Sequence, residues 1–175
     1  MGTPLVCFSH GKESGPWGIK IRQLAAIARL AGFEVESIDY RGLDDPDVRV
    51  EKLLEQRSTE DDALLVLAGS SMGGYVAAVA AETLKPAGLF LMAPAIAIPG
   101  FGRNQDPVPA AGQTAIIHGW HDEIIPPALI IDYAGRHALP LHLLDDSHRL
   151  VTVLPAVEQQ FALFLQNILR RDKQR

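Results

Sequence analysis

The sequence predicts an α/β fold: a three-layer α/β/α arrangement around a mostly parallel sheet of about six strands. Three observations carry this expectation. Strand and helix signals alternate along the whole chain, the pattern of a parallel sheet covered by helices on both faces. Most strand candidates are short, continuous apolar runs, as expected where neither face meets water. The run Ala63-Leu64-Leu65-Val66-Leu67-Ala68 also passes through a glycine-bracketed serine directly into an alanine-rich helical stretch.

The elements follow in order. The first strand is read at residues 5–9, the run Leu5-Val6-Cys7-Phe8-Ser9. The first helix spans 17–31, with Ile21, Leu24, Ala25 and Ala28 on one stripe and Gly32 closing its C-terminal end. Residues 34–39 form the second strand, 47–56 the second helix and 63–68 the third strand. The helix at 72–84 starts at once, and a strand at 88–92 follows it. Residues 93–107 are the least regular stretch, broken by Pro94, Pro99, Gly100, Gly102 and Pro107. Beyond it lie a strand at 114–118, a helix at 127–137, a strand at 141–144 and a helix at 154–171. That last helix carries Val157, Phe161, Phe164, Leu165 and Ile168 at helical spacing, a core-facing stripe.

Bulk properties bound the function. A length of 175 residues fits one domain, residues 1–175, with one sizeable core. Hydrophobic residues make up 47%, yet no run is long enough to span a membrane. The first apolar stretch is short and lacks a basic leader, so no secretory signal is read. The Met1-Gly2 start fails as a myristoylation signal because the sixth residue is Val6. Cys7 is the single cysteine and sits in an apolar strand, as a small buried hydrophobe would. With no internal disulfide possible, a reducing, cytoplasmic location is expected. Net charge is −5, and the one basic cluster, Arg170-Arg171-Asp172-Lys173-Gln174-Arg175, suits the C-terminal end of a helix dipole. Nucleic acid and membrane are therefore not expected partners; oligomeric state stays open.

The chemistry-bearing residues concentrate just past predicted strand ends. In Gly69-Ser70-Ser71-Met72-Gly73-Gly74, only Ser71 has glycine two residues before and two after; Ser70 has Ala68 and Met72 there. Flanking glycines would allow positive φ and close chain approach. An ordinary turn of small residues is the plainer alternative. The segment His118-Gly119-Trp120-His121-Asp122-Glu123-Ile124-Ile125-Pro126 follows one strand, and Asp145-Asp146-Ser147-His148 follows another. Near the start, the first strand runs into His10-Gly11-Lys12. Ser71 needs a base to attack a carbonyl. Histidine titrates near ~6.5 as a residue type, which suits a group that accepts and returns a proton. An exposed loop histidine beside acidic residues is the plainer, less favoured reading of His148. His118 and His121 lack a convincing third partner, so no metal is expected. Gly11-Lys12-Glu13-Ser14 lacks the spacing of a phosphate loop, and no cofactor is expected.

The ordered combination of these motifs resembles the α/β-hydrolase superfamily, and within it small, capless serine hydrolases of the dienelactone-hydrolase-like and minimal carboxylesterase-like kind. The resemblance runs from about Leu5 to the C-terminal helix. It implies that the six strands are the third to eighth of the larger fold, the first two and the cap being absent. It also implies an edge position for strand 34–39 beside strand 5–9, then strand 63–68 and the others in sequence. It implies Ser71 as nucleophile, His148 as base and Asp122 as acid; the preceding loop, which holds the acid in some relatives, offers only Asp106, far from the strand end, and Asp145 and Asp146 are rivals because they lie close to His148 in sequence. Arg149 departs from the apolar residue that many relatives carry after the histidine. The implied oxyanion donors are the backbone N–H groups of Met72 and Lys12. Trp17, Tyr75, Ile96, Ile98, Phe101 and Trp120 are candidate substrate-pocket walls, each equally suited to core or rim packing. The expected activity is hydrolysis of a small ester or thioester through an acyl-enzyme, by an esterase or thioesterase, with a small-molecule acyl substrate. A noncatalytic ligand-binding or interaction protein on the same scaffold, or a nonhydrolytic lyase, is the alternative.

Overall fold

The computed structural model describes residues 2–57 and 64–174. Met1, Arg175 and the predicted strand start at Ala63 lie outside the described residues. The strands are β1 (Leu5–Ser9), β2 (Glu34–Ile38), β3 (Leu65–Ser70), β4 (Gly88–Met92), β5 (Thr114–Gly119) and β6 (Leu141–Leu144). The helices are α1 (Ile19–Leu30), α2 (Pro46–Gln56), α3 (Met72–Leu84), α4 (Pro127–Arg136) and α5 (Leu154–Asp172). The sheet order is β2-β1-β3-β4-β5-β6. Every neighbouring pair is parallel, so the sheet is wholly rather than mostly parallel.

Period-two alternation sorts the strand residues onto two cores. Cys7, Leu67, Leu89, Leu91 and Ile116 pack with α2, α3 and α4 through Leu53, Val76 and Ile130. Val6, Phe8, Val66, Phe90 and Ile117 pack on the opposite face with α1 and α5 through Leu24, Phe161 and Phe164. Phe161 seats against both Phe8 and Phe90, ring centroids 6.1 and 4.9 Å apart, so the aromatic stripe of α5 is a core stripe as its spacing predicts.

Two boundaries differ instructively. α1 begins at Ile19 behind Gly18 as N-cap, leaving Trp17 on the preceding loop. β3 runs through Gly69 to Ser70, two residues beyond the apolar run, because Gly69 and Ser70 still register against Leu91 and Met92 of β4. The strand therefore ends directly at Ser71. No described helix is long and apolar enough to cross a membrane.

The irregular stretch after β4 is tied down rather than raised. Asn104 N–H donates to the Tyr75 hydroxyl at 3.2 Å, and Arg103 N–H donates to Asp47 Oδ2 at 3.0 Å. Glu82 Oε1 accepts from Asn104 Nδ2 and Val108 N–H at 2.9 and 2.7 Å. The segment is thereby fastened along α2 and α3.

Candidate active site

Ser71 occupies the sharp turn between β3 and α3 with φ 56° and ψ −121°. A positive φ is strained for a residue with a Cβ and persists only where its surroundings over-determine it. They do so here. Ser71 N–H donates to Met92 O at 3.0 Å, and Ser71 O accepts from Gly74 and Ala95 N–H at 2.9 and 3.0 Å. The flanking glycines serve differently from the expectation, because neither Gly69 nor Gly73 has positive φ. A Cβ on Gly69 would collide with the Gly73 carbonyl, and one on Gly73 with the carbonyl of Ser9. They permit close approach of backbones, while the serine itself takes the strained conformation.

Ser71, His148 and Asp122 form one hydrogen-bonded chain. His148 Nε2 lies 3.0 Å from Ser71 Oγ, and its Nδ1 lies 2.7 Å from Asp122 Oδ2. An ionised carboxylate only accepts, so Nδ1 carries the proton and Nε2 is free to accept from the serine hydroxyl. Asp122 is buried. Burial, the largest influence, pushes its carboxyl up, but the hydrogen bonds from His148 and Ile125 N–H lead the opposing influences and leave it below the usual range. Its Oδ1 accepts from Ile124 and Ile125 N–H at 2.9 and 2.8 Å, so the carboxylate is ionised and fixed.

The rival acids serve elsewhere. Asp145 is exposed and pairs with His121 Nε2 at 2.8 Å. Asp146 accepts from Ser147 and Val153 N–H at 2.7 and 3.1 Å and shapes the loop that carries His148. Asp106 pairs with Arg136 and His137. His118 is fully buried, with Nε2 2.9 Å from Ile125 O and 3.4 Å from Asp122 Oδ2. His118 and His121 thus face different partners.

The family model for the alpha/beta hydrolase family matches residues 5–171. The chain belongs to the alpha/beta hydrolase family. A solved member of the superfamily from Xanthomonas campestris pv. campestris is 35% identical, covers 94% of this chain and 99% of its own, and superposes with a TM-score of 0.85. A lidless serine hydrolase from Xanthomonas campestris is 25% identical, covering 97% and 82%, with a TM-score of 0.66. Est1E from Butyrivibrio proteoclasticus shares the fold at a TM-score of 0.80, covering 96% and 89%, with 18% identity. Among curated proteins, none is significantly similar in sequence.

In this α/β hydrolase, Met72 is the first residue of α3, so its N–H has no intrahelical acceptor and lies at the positive end of the dipole. Gly11 sits beside Ser71: a Cβ there would lie 3.4 Å from Ser71 Cβ. The Lys12 side chain is half-exposed and reaches Asp44 at 3.7 Å. Lys20, at the start of α1, is pushed down to about 8 by burial and by the Arg149 charge.

The pocket-wall expectations divide. Trp17 and Trp120 are exposed, 41% and 53%. Tyr75 and Ile96 are fully buried. Tyr75 donates its hydroxyl to Asp47 Oδ1 at 2.7 Å and anchors the loop after β4. Ile98 and Phe101 pack against the core, Phe101 edge-on to Tyr75 at 5.5 Å. Sequence reasoning missed Arg49, which is almost completely buried beside the His10-Gly11 loop. The available signal was a charged residue on the apolar stripe shared with Val50 and Leu53.

Proposed function

We propose that this α/β hydrolase is a serine hydrolase that cleaves a small ester or thioester through an acyl-enzyme. The observation that carries the reading is the Ser71–His148–Asp122 hydrogen-bonded chain at the strained end of β3. His148 Nε2 takes the Ser71 proton as Oγ bonds to the substrate carbonyl carbon. The tetrahedral oxyanion is received by the N–H groups of Met72 and Lys12. His148 then returns the proton to the leaving alkoxide or thiolate as the C–O or C–S bond breaks. A water, deprotonated by the same nitrogen, releases the acid and restores Ser71. Asp122 holds the tautomer and stabilises the imidazolium.

The fastening of the loop after β4 along α2 and α3 supports an open site suited to short acyl groups. A buried methylene contributes only about 0.8 kcal/mol, and an open site buries few. Est1E has been solved with ferulic acid bound, so a feruloyl ester belongs in the test panel. A fluorophosphonate probe should label the protein at Ser71, and p-nitrophenyl esters should be cleaved best from acetyl to butyryl. Absence of labelling would refute the covalent mechanism; an optimum at palmitoyl would refute the short-acyl assignment.

A further inference from the structure

We infer that Arg49 is a positioning residue for the oxyanion hole, setting the direction of the Lys12 N–H from behind by gripping the carbonyls of His10 and Gly11. The inference deepens the serine-hydrolase reading and rests on it.

Arg49 is 2% exposed, and among the described residues it makes no ion pair. Its Nε donates to Leu43 O at 2.7 Å, and its Nη1 donates to His10 O at 3.1 Å and Gly11 O at 3.4 Å. The guanidinium also lies over the Tyr40 ring, 5.3 Å from its centroid. A buried cation satisfied by neutral carbonyls is costly to desolvate, and three carbonyls of two loops offer less compensation than one carboxylate would. For linking α2 to a loop, an apolar contact would suffice.

What the cation does besides linking is orient a peptide. Tyr40 N–H donates to His10 Nε2 at 2.9 Å, so the His10 proton is on Nδ1, which donates to Gly11 O at 2.7 Å. The Gly11 carbonyl therefore has two donors, imidazole and guanidinium. In a planar trans peptide the N–H points opposite to the C=O. Turning the Gly11 carbonyl toward Arg49 and His10 turns the Lys12 N–H away from them. A Cβ added at Gly11 would be 3.4 Å from Ser71 Cβ and 3.5 Å from Ser70 O, so this peptide lies next to the turn that carries Ser71. A cation on the carbonyl end also polarises the peptide, strengthening its N–H as a donor to a developing oxyanion.

The test uses an alkyl boronic acid, which forms a tetrahedral anionic adduct with an active serine. In the wild-type protein, the Lys12 and Met72 amide proton resonances should both move downfield when the adduct forms, as hydrogen bonds to its oxygen are made. A shift at Met72 with none at Lys12 would overturn the assignment, whatever any variant does. Arg49→Met should lower kcat by about 10²–10³, the loss typical of one oxyanion donor, with KM changed less than about threefold and boronate affinity falling in parallel with kcat. Arg49→Lys, which keeps the charge but not the fork, should fall between. If folded Arg49→Met loses only thermal stability while kcat and boronate affinity match wild type, Arg49 is a structural link and the inference fails. If wild type takes neither boronate nor fluorophosphonate, the hydrolase reading itself fails and this inference falls with it.

Discussion

The two loops that meet at Ser71 are held by opposite means. The His10–Lys12 loop is fixed from the protein interior, with His10 and Arg49 both buried and their polar atoms directed at backbone. The loop carrying His148 is fixed near the surface: Asp146 collects the N–H groups of Ser147 and Val153, and Leu150 takes φ 52°. The difference follows from what each loop presents. The oxyanion donor proposed for the first loop would gain from a rigid, dry, preorganised setting. In the proposed mechanism His148 passes protons to and from leaving groups and water and has to be reachable; it keeps 15% of its side chain exposed while its partner Asp122 keeps none. Rigidity on that side comes through Asp122, from below.

The sharpest way to break this comparison is at the point where the loops meet. Ser71→Ala should lower kcat by something on the order of 10⁴–10⁶, with Ser70→Ala keeping most activity. Steady-state kinetics on a short p-nitrophenyl ester checks this, and a lethal Ser70 change would mean that the wrong hydroxyl has been placed at the turn. Next in size, Asp122→Asn should cost on the order of 10⁴ in kcat with a native circular dichroism spectrum. A near-silent Asp122→Asn would remove the buried anchor of the His148 side. Asp146→Asn should change activity by less than about tenfold, or roughly 1.4 kcal/mol of barrier, because the loop retains its Asp122 tether. A loss comparable with that of Asp122→Asn would show that the surface network, not the buried carboxylate, holds the histidine. Asp145→Asn should be smaller still, since Asp145 faces His121 in solvent.

The smallest effect expected is a drift of stability with pH. Burial, above all, holds His10 and His118 below the ordinary histidine value. Such groups bind protons more readily unfolded, so their contribution is complete above the unfolded value near ~6.5 and is lost as pH falls through the folded values. Asp122 and Asp146 also titrate below their usual value, so their contribution is complete above about 4 and is lost at lower pH. Urea midpoints should therefore begin to fall near pH ~6.5 and fall again below pH ~4. A midpoint flat from pH 7 to 5 would mean that the interior of the His10 side tolerates charge.

Much of this was legible in the chain, for identifiable reasons. Apolar runs such as Leu5–Ser9 and Gly88–Met92 could be read as strands because a sheet covered on both faces leaves no polar positions to confuse the period. Ser71 could be singled out from Ser70 because the glycine spacing is a local property. The choice of Asp122 over Asp145 and Asp146 came from resemblance rather than from spacing; the fold alone brings its carboxylate to His148 across twenty-six residues. The burial of Tyr75 and Ile96 was one of two readings left open, because an aromatic and an isoleucine near a site look the same in sequence whether they line it or lie beneath it. Arg49 shows in the sequence as a charge on an apolar stripe, but its partners do not. Its meaning depends on carbonyls thirty-eight and thirty-nine positions away, on the far side of β2. The sequence by itself therefore determined the layers and the residue types of the site, and the resemblance supplied the strand order. Only the tertiary structure decided which carboxylate meets His148 and which carbonyls Arg49 meets, because direction in space is set by packing between segments that share no local pattern.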